Sequence, residues 1–192
     1  MSFTMWLPSA VATFGLMVLT APAAAGPLRV QDSPTIVQLN ESYGPPDASV
    51  VIPVDVKAPD GVHVGELQVQ LTIPSALVAL VRAVPSGLGE GAGVQMTVEA
   101  KRGQGADTSV LRIVMSGRLE GDTRQQIPNG QVAHLVFQIA KTTATGSVIA
   151  LTPTVTGQTA GPRPAPVKPI EAPPSRIVVS SPAIISCFFY MH

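Results

Sequence analysis

Cysteine is nearly missing from this chain: its 192 residues hold one, Cys187. A lone thiol cannot staple a fold internally, so any core must be held by burial alone. With no adjacent His, Cys or basic residue to lower its pKa, Cys187 is not read as a reactive thiol either. Charge is scarce as well. Only 12% of residues are charged, and 12 bases balance 12 acids. Without a basic field there are few counterions to release, which argues against nucleic acid and acidic membranes as partners. Aromatic residues make up 4% of the chain, and between Gly26 and Ser180 only Tyr43 and Phe137 occur. A stacking platform for sugar rings is therefore almost absent.

Catalytic sets are missing too. The histidines are His63, His134 and His192. With no G-x-S-x-G elbow or other nucleophile motif, each is read as a surface histidine rather than a general base. Glu120-Gly121-Asp122 is read as a solvated loop in preference to a calcium site. No D-x-[DN]-x-[DN]-G loop occurs. No enzyme activity, cofactor or metal is expected.

What the chain does have is alternation. Over Ser49–Val84, Val50, Ile52, Val54 and Val56 share one phase. Leu67, Val69, Leu71 and Ile73 then alternate with Glu66, Gln68, Gln70 and Thr72. A period of two means half-buried strands, one side on a core and the other in water. Pro59-Asp60-Gly61 supplies the turn between them. The scheme repeats at Pro34–Leu39, at Val94–Lys101 (Val94, Met96, Val98 and Ala100 inward) and at Val110–Ser116 (Leu111, Ile113 and Met115 inward). It continues at Gln131–Ile139 (Ala133, Leu135, Phe137 and Ile139 inward), Val148–Thr156 and Ser175–Ser180. Leu77–Val84 is an apolar run read as a further strand, with a helical turn as the competing reading. Gly87–Gly93 reads as a flexible loop, Gly117–Gly130 as a polar connection and Gly157–Pro174 as an extended proline-rich connection. About nine short strands with turn signals between them predict an all-β sandwich or jelly roll. Nineteen prolines and 17 glycines suit such punctuation and not a helical bundle.

The ends differ from the middle. No charged residue precedes Arg29, Ala10–Leu19 is apolar, and Ala23-Ala24-Ala25 offers small residues for cleavage. Residues 1–25 are therefore expected to be a signal peptide, lacking only a basic n-region, and residues 26–180 the domain. The expected location is secreted, periplasmic or cell-surface. Residues 181–192 form an atypical, disordered or frame-altered tail with Phe188, Phe189 and Tyr190. Its apolar run is far below the ~20 residues of a membrane span.

Four blocks in order resemble the cohesin domain: VVIPVDV after an acidic turn (Asp47–Val56), GELQVQLTIPSALV with its proline corner at Pro74-Ser75-Ala76-Leu77, IPNGQVAHLVFQI, and a closing SRIVV. The resemblance covers roughly Pro34–Ser180. It implies a nine-stranded jelly-roll β-sandwich related to carbohydrate-binding modules. It also implies a dockerin-type protein partner and a link to polysaccharide degradation. Ile73 stands where the family usually has an acidic residue. Glu66 and Gln68 stand where type I cohesins usually carry Asn and Asp.

The outward residues of three strands give a candidate partner-binding set: Glu66, Gln68, Gln70, Thr97, Glu99 and Arg112. Long polar side chains on a flat sheet suit hydrogen-bonded protein recognition better than ring stacking, although a solvated strand face would look the same. Two other readings stay open. One is a carbohydrate-binding module. The other is a structural subunit assembling by strand pairing, which needs an edge left open by a loosely held SRIVV strand.

Overall fold

The computed structural model describes residues 33–181, apart from positions 104 and 106. The expected signal peptide and the tail beyond Ser181 lie outside the described residues. In chain order the elements are β1 (Thr35–Leu39), β2 (Ser42–Gly44), β3 (Ser49–Lys57), β4 (Val64–Pro74), β5 (Val78–Pro85), α1 (Gly87–Gly91), β6 (Gln95–Arg102) and β7 (Thr108–Ser116). They continue as β8 (Leu119–Glu120), β9 (Thr123–Arg124), β10 (Gly130–Ile139), β11 (Val148–Leu151), β12 (Pro153–Thr159), β13 (Ile170–Glu171) and β14 (Ser175–Val179). The all-β expectation holds. Among the described residues the strands fall into fourteen segments, several only two or three residues long, so the count of nine is not confirmed.

Two sheets make the layers, ordered β13-β1-β3-β10-β5 and β12-β4-β7-β6. A third, β11-β14-β2, adds Ile149, Leu151, Ile177 and Val179 to the same core. That core is aliphatic, with Phe137 its one ring, fully buried. Ile52, Val54, Leu67, Val69, Leu71, Ile113 and Leu135 are buried around it, as their inward phase predicts. Ala100, also assigned inward, is exposed, and so is Val98, at 40%. Both keep the inward phase, but β6 is the outer strand of its sheet. The facing sheet ends at β5, where Val81 is itself 59% exposed. Phase fixes the direction of a side chain, not how far the opposite layer reaches.

Four further expectations are corrected. The strand read over Val148–Thr156 is two strands, parted at exposed Thr152. β11 pairs with β14, whereas β12 crosses to pair with β4. Pro153 brings no N–H to a ladder, so the chain changes sheets where continuity is weakest. The glycine-rich loop at 87–93 contains α1. Ser86 caps it, its Oγ accepting from the Gly89 N–H at 3.1 Å. Gly89 itself lies against the Val132 carbonyl, where a Cβ would collide, so the low helix propensity of glycine is the cost of that close approach. The connection at 117–130 carries the β8–β9 hairpin and buries Ile127.

The proline-rich connection is also more structured than expected. β12 runs on to Thr159, and the chain then returns along its free edge. Ala165 accepts from the Thr159 N–H at 2.8 Å, and Val167 donates to the Gly157 carbonyl at 3.0 Å. Pro162, Pro164 and Pro166 alternate with residues that keep their N–H, which is what lets the segment bond as a strand. Val167 is buried and β13 pairs in parallel with β1. Leu77–Val84, for which a helical turn was the competing reading, is strand β5 from Val78. The closing SRIVV strand is not a loose edge: β14 lies between β11 and β2, with Ser175, Ile177 and Val179 buried.

Candidate protein-binding face

The four-stranded sheet turns its outer surface to solvent, and its register fixes which side chains stand beside each other. Three cross-strand rows run over it. The first is Thr154, Gln70, Arg112 and Glu99; the second is Thr156, Gln68, Val114 and Thr97; the third is Gln158, Glu66, Ser116 and Gln95. All six residues of the candidate set therefore share one face of one sheet. Glu66, Gln68 and Gln70 lie on β4, Arg112 on β7, and Thr97 and Glu99 on β6. Directly opposed residues in an antiparallel pair have their Cβ atoms about 4.5–5.5 Å apart, so each row is a contact row.

Arg112 organises the centre. One guanidinium nitrogen donates to Gln68 Oε1 at 2.8 Å, and another reaches Glu99 Oε2 at 3.5 Å. Acceptors on both flanking strands thus hold the planar group while its side chain stays 47% exposed. Glu66 is placed differently. Its carboxylate is bridged at 3.0 Å by Arg124, and both side chains are only 27% exposed. Beside it, Glu66, Gln68, Thr156, Gly157, Gln158 and Pro166 line a recess of about 230 Å³. The side chains of Gln70 and Thr97 form no hydrogen bond among the described residues, so their donors and acceptors remain available.

The β12 contribution, Thr154, Thr156 and Gln158, is missing from the candidate set. Its signal was present: the outward phase of T-V-T-G-Q runs past Thr156, where the strand was expected to stop. The two described histidines sit apart from this face, and His192 lies outside the described residues. His63 Nδ1 lies 2.7 Å from Gln126 Oε1, and His134 Nε2 lies 3.2 Å from Gln131 Oε1. Glu120-Gly121-Asp122 forms the tip of the β8–β9 hairpin, with Gly121 at φ +59°. Among the described residues, no group of three His, Cys, Asp or Glu side chains could hold a metal ion. No described helix is long and apolar enough to cross a membrane.

No family model matches the sequence, and no curated protein matches it. Solved structures do match the fold. The sixth cohesin of scaffoldin B from Acetivibrio cellulolyticus, in complex with a mutant Cel5 dockerin, superposes with a TM-score of 0.58 at 14% identity, over 77% of this chain and 100% of that one. The domain has the cohesin fold. A second cohesin, the seventh type I module of ScaB from Pseudobacteroides cellulosolvens, gives 0.57 at 16% identity, over 82% of this chain and 99% of that one. A non-cellulosomal cohesin from the hyperthermophilic archaeon Archaeoglobus fulgidus gives 0.53 at 14% identity, over 78% and 93%. At such identities the likeness of this cohesin-like domain to its neighbours is one of fold.

Proposed function

We propose that the chain is an exported, non-catalytic binding module that docks another protein on the outer face of its four-stranded sheet. Residues 1–25 act as the signal peptide, residues 26–180 are the cohesin-like domain, and the protein works outside the cytoplasm, secreted, periplasmic or on the cell surface. The observation that carries this reading is the aromatic-free polar face built from Glu66, Gln68, Gln70, Thr97, Glu99 and Arg112 on a cohesin fold. Neighbours with that fold have been solved bound to dockerins. A dockerin-type partner is the first candidate, and through it a role in polysaccharide degradation.

The face is hydrogen-bonding rather than strongly charged, so association depends only mildly on salt. Arg112 is the anchor, because its fork of donors is pre-set by Gln68 and Glu99 and its stem adds contact area. The test is a pull-down from secreted proteins with the wild type and with Arg112→Glu. Retention of a discrete protein that is lost with the variant supports the proposal. Retention of insoluble polysaccharide alone replaces it with the carbohydrate reading. A partner held equally by both forms moves the site to another surface.

A further inference from the structure

The two edges of the four-stranded sheet are treated differently. Along β12 the returning segment at 165–167 takes up the backbone groups of Gly157 and Thr159. Along β6 no described strand or loop does so: Gln95–Arg102 pairs only with β7, and seven of its eight residues are exposed. An uncovered edge of this length is a template for another strand.

Its side chains say which strand fits. Glu99, Ala100 and Lys101 place an acid and a base on either side of a small residue, and Glu99 and Lys101 share the outward face with Thr97. In an antiparallel pair of two identical strands, with Ala100 opposite Ala100 on the two-fold axis, Glu99 of each copy stands opposite Lys101 of the other. Two opposite-charge cross-strand pairs form at once. Val98 and Arg102 stand opposite each other on the inner side, where the long Arg stem can cover the 40% exposed valine. A charged edge ordinarily keeps stray strands away. Here the signs alternate, so the same charges that disfavour a generic strand match an inverted copy of this one.

We propose that β6 is a self-association edge, through which two copies of the chain join their four-stranded sheets into one antiparallel eight-stranded sheet. Isologous pairing about a two-fold axis is the commonest symmetry of soluble oligomers. The two polar faces would then lie side by side on the same surface, so a dimer presents two docking faces in one direction. The contact is a strand edge and not a broad apolar patch, so the dimer is weak and concentration-dependent.

Sedimentation equilibrium of the purified protein between about 5 and 500 µM tests this, the range being where small interfaces titrate. The mass is expected to double across the range. Glu99→Lys alone and Lys101→Glu alone should each weaken the dimer by about tenfold or more, since each turns two attractive pairs into two repulsive ones. The combined exchange should restore it. Circular dichroism melting of each variant separates loss of pairing from loss of folding. Amide hydrogen exchange over Val98–Arg102 gives a second readout on the wild type, with protection rising as concentration rises. A protein that stays monomeric throughout overturns the proposal. So does a dimer that the single exchanges leave intact, or one that the combined exchange fails to restore.

Discussion

Strand β4 has two chemically unlike sides, and the contrast separates what holds the domain together from what it can offer a partner. Inward, Leu67, Val69, Leu71 and Ile73 are buried in the common core, each surrounded by both sheets. Outward, the same eight residues of backbone present Glu66, Gln68, Gln70 and Thr72, the first two half-buried and the last two exposed. A change on the inner side leaves a cavity or a collision. On the outer side a change alters which hydrogen bonds a second molecule can find, and the fold has little at stake.

The largest expected effect lies inside. Phe137→Ala should lower stability by about 3–5 kcal/mol, because it removes the core's one ring from a fully enclosed site. Chemical denaturation measures this, and the fraction that remains folded should bind a partner as before. A loss below about 1 kcal/mol would mean the core closes over the gap and the inner side is softer than its burial implies. Next comes the outer side. Arg112→Glu should weaken partner binding more than tenfold, about 1.4 kcal/mol, with the melting temperature nearly unchanged. A large drop in melting temperature would erase the distinction between the two sides.

Glu66→Ala sharpens the boundary between them. The Glu66–Arg124 pair is largely but not fully covered, so its removal should cost at most about 1 kcal/mol of stability. Its effect on partner affinity should be smaller than that of Arg112→Glu, as measured by titration calorimetry on both variants. The smallest effect belongs to the outer face of the other sheet. Val51 is 48% exposed there, and Val51→Ser should shift stability by no more than about 0.5 kcal/mol. Partner binding should not change. If Val51→Ser abolishes binding while Arg112→Glu does not, the docking face lies on the five-stranded sheet.

Much of this architecture was legible in the chain because a period of two is a strong signal where one side is dry. The inward residues of β4 and β10 could be assigned by phase, and the same phase assigned the outward six to a common side. It could not say that β4, β6 and β7 are neighbours; that follows from the topology, which places β7 between the other two. Val98 shows the limit of phase at an edge. Helix α1 was hidden because three of its five residues are glycine, and its cause is a close approach to Val132 that local propensity cannot reveal. β12 was cut short at Thr156 because Gly157 and the prolines beyond it read as breakers. The returning edge segment, which makes a strand partner of that stretch, is a long-range fact. The binding set suffered in two ways: Gln158 fell beyond the expected strand end, and Thr154 and Thr156 were missed because the pairing of β12 with β4 is itself a long-range fact.

The way the ends of the domain are fastened sets an order of events in time. β2 pairs in parallel with β14, placing Ser42 beside Ile177 and Gly44 beside Val179. Around them Ser175 Oγ donates to the Asn40 carbonyl at 3.0 Å, and Arg176 meets Glu41 at 2.8 Å. Of the earliest strands, β2 thus finds its partner only in the last one, while β1 pairs with β3 early and with β13 late. Such non-local pairing closes slowly, because the loop entropy between distant segments must be overcome before the contacts reward it. While the chain is being made, β2 waits for its strand partner until Val179 has been added. Until then the core lacks Ile177 and Val179, so the domain closes from its two ends together.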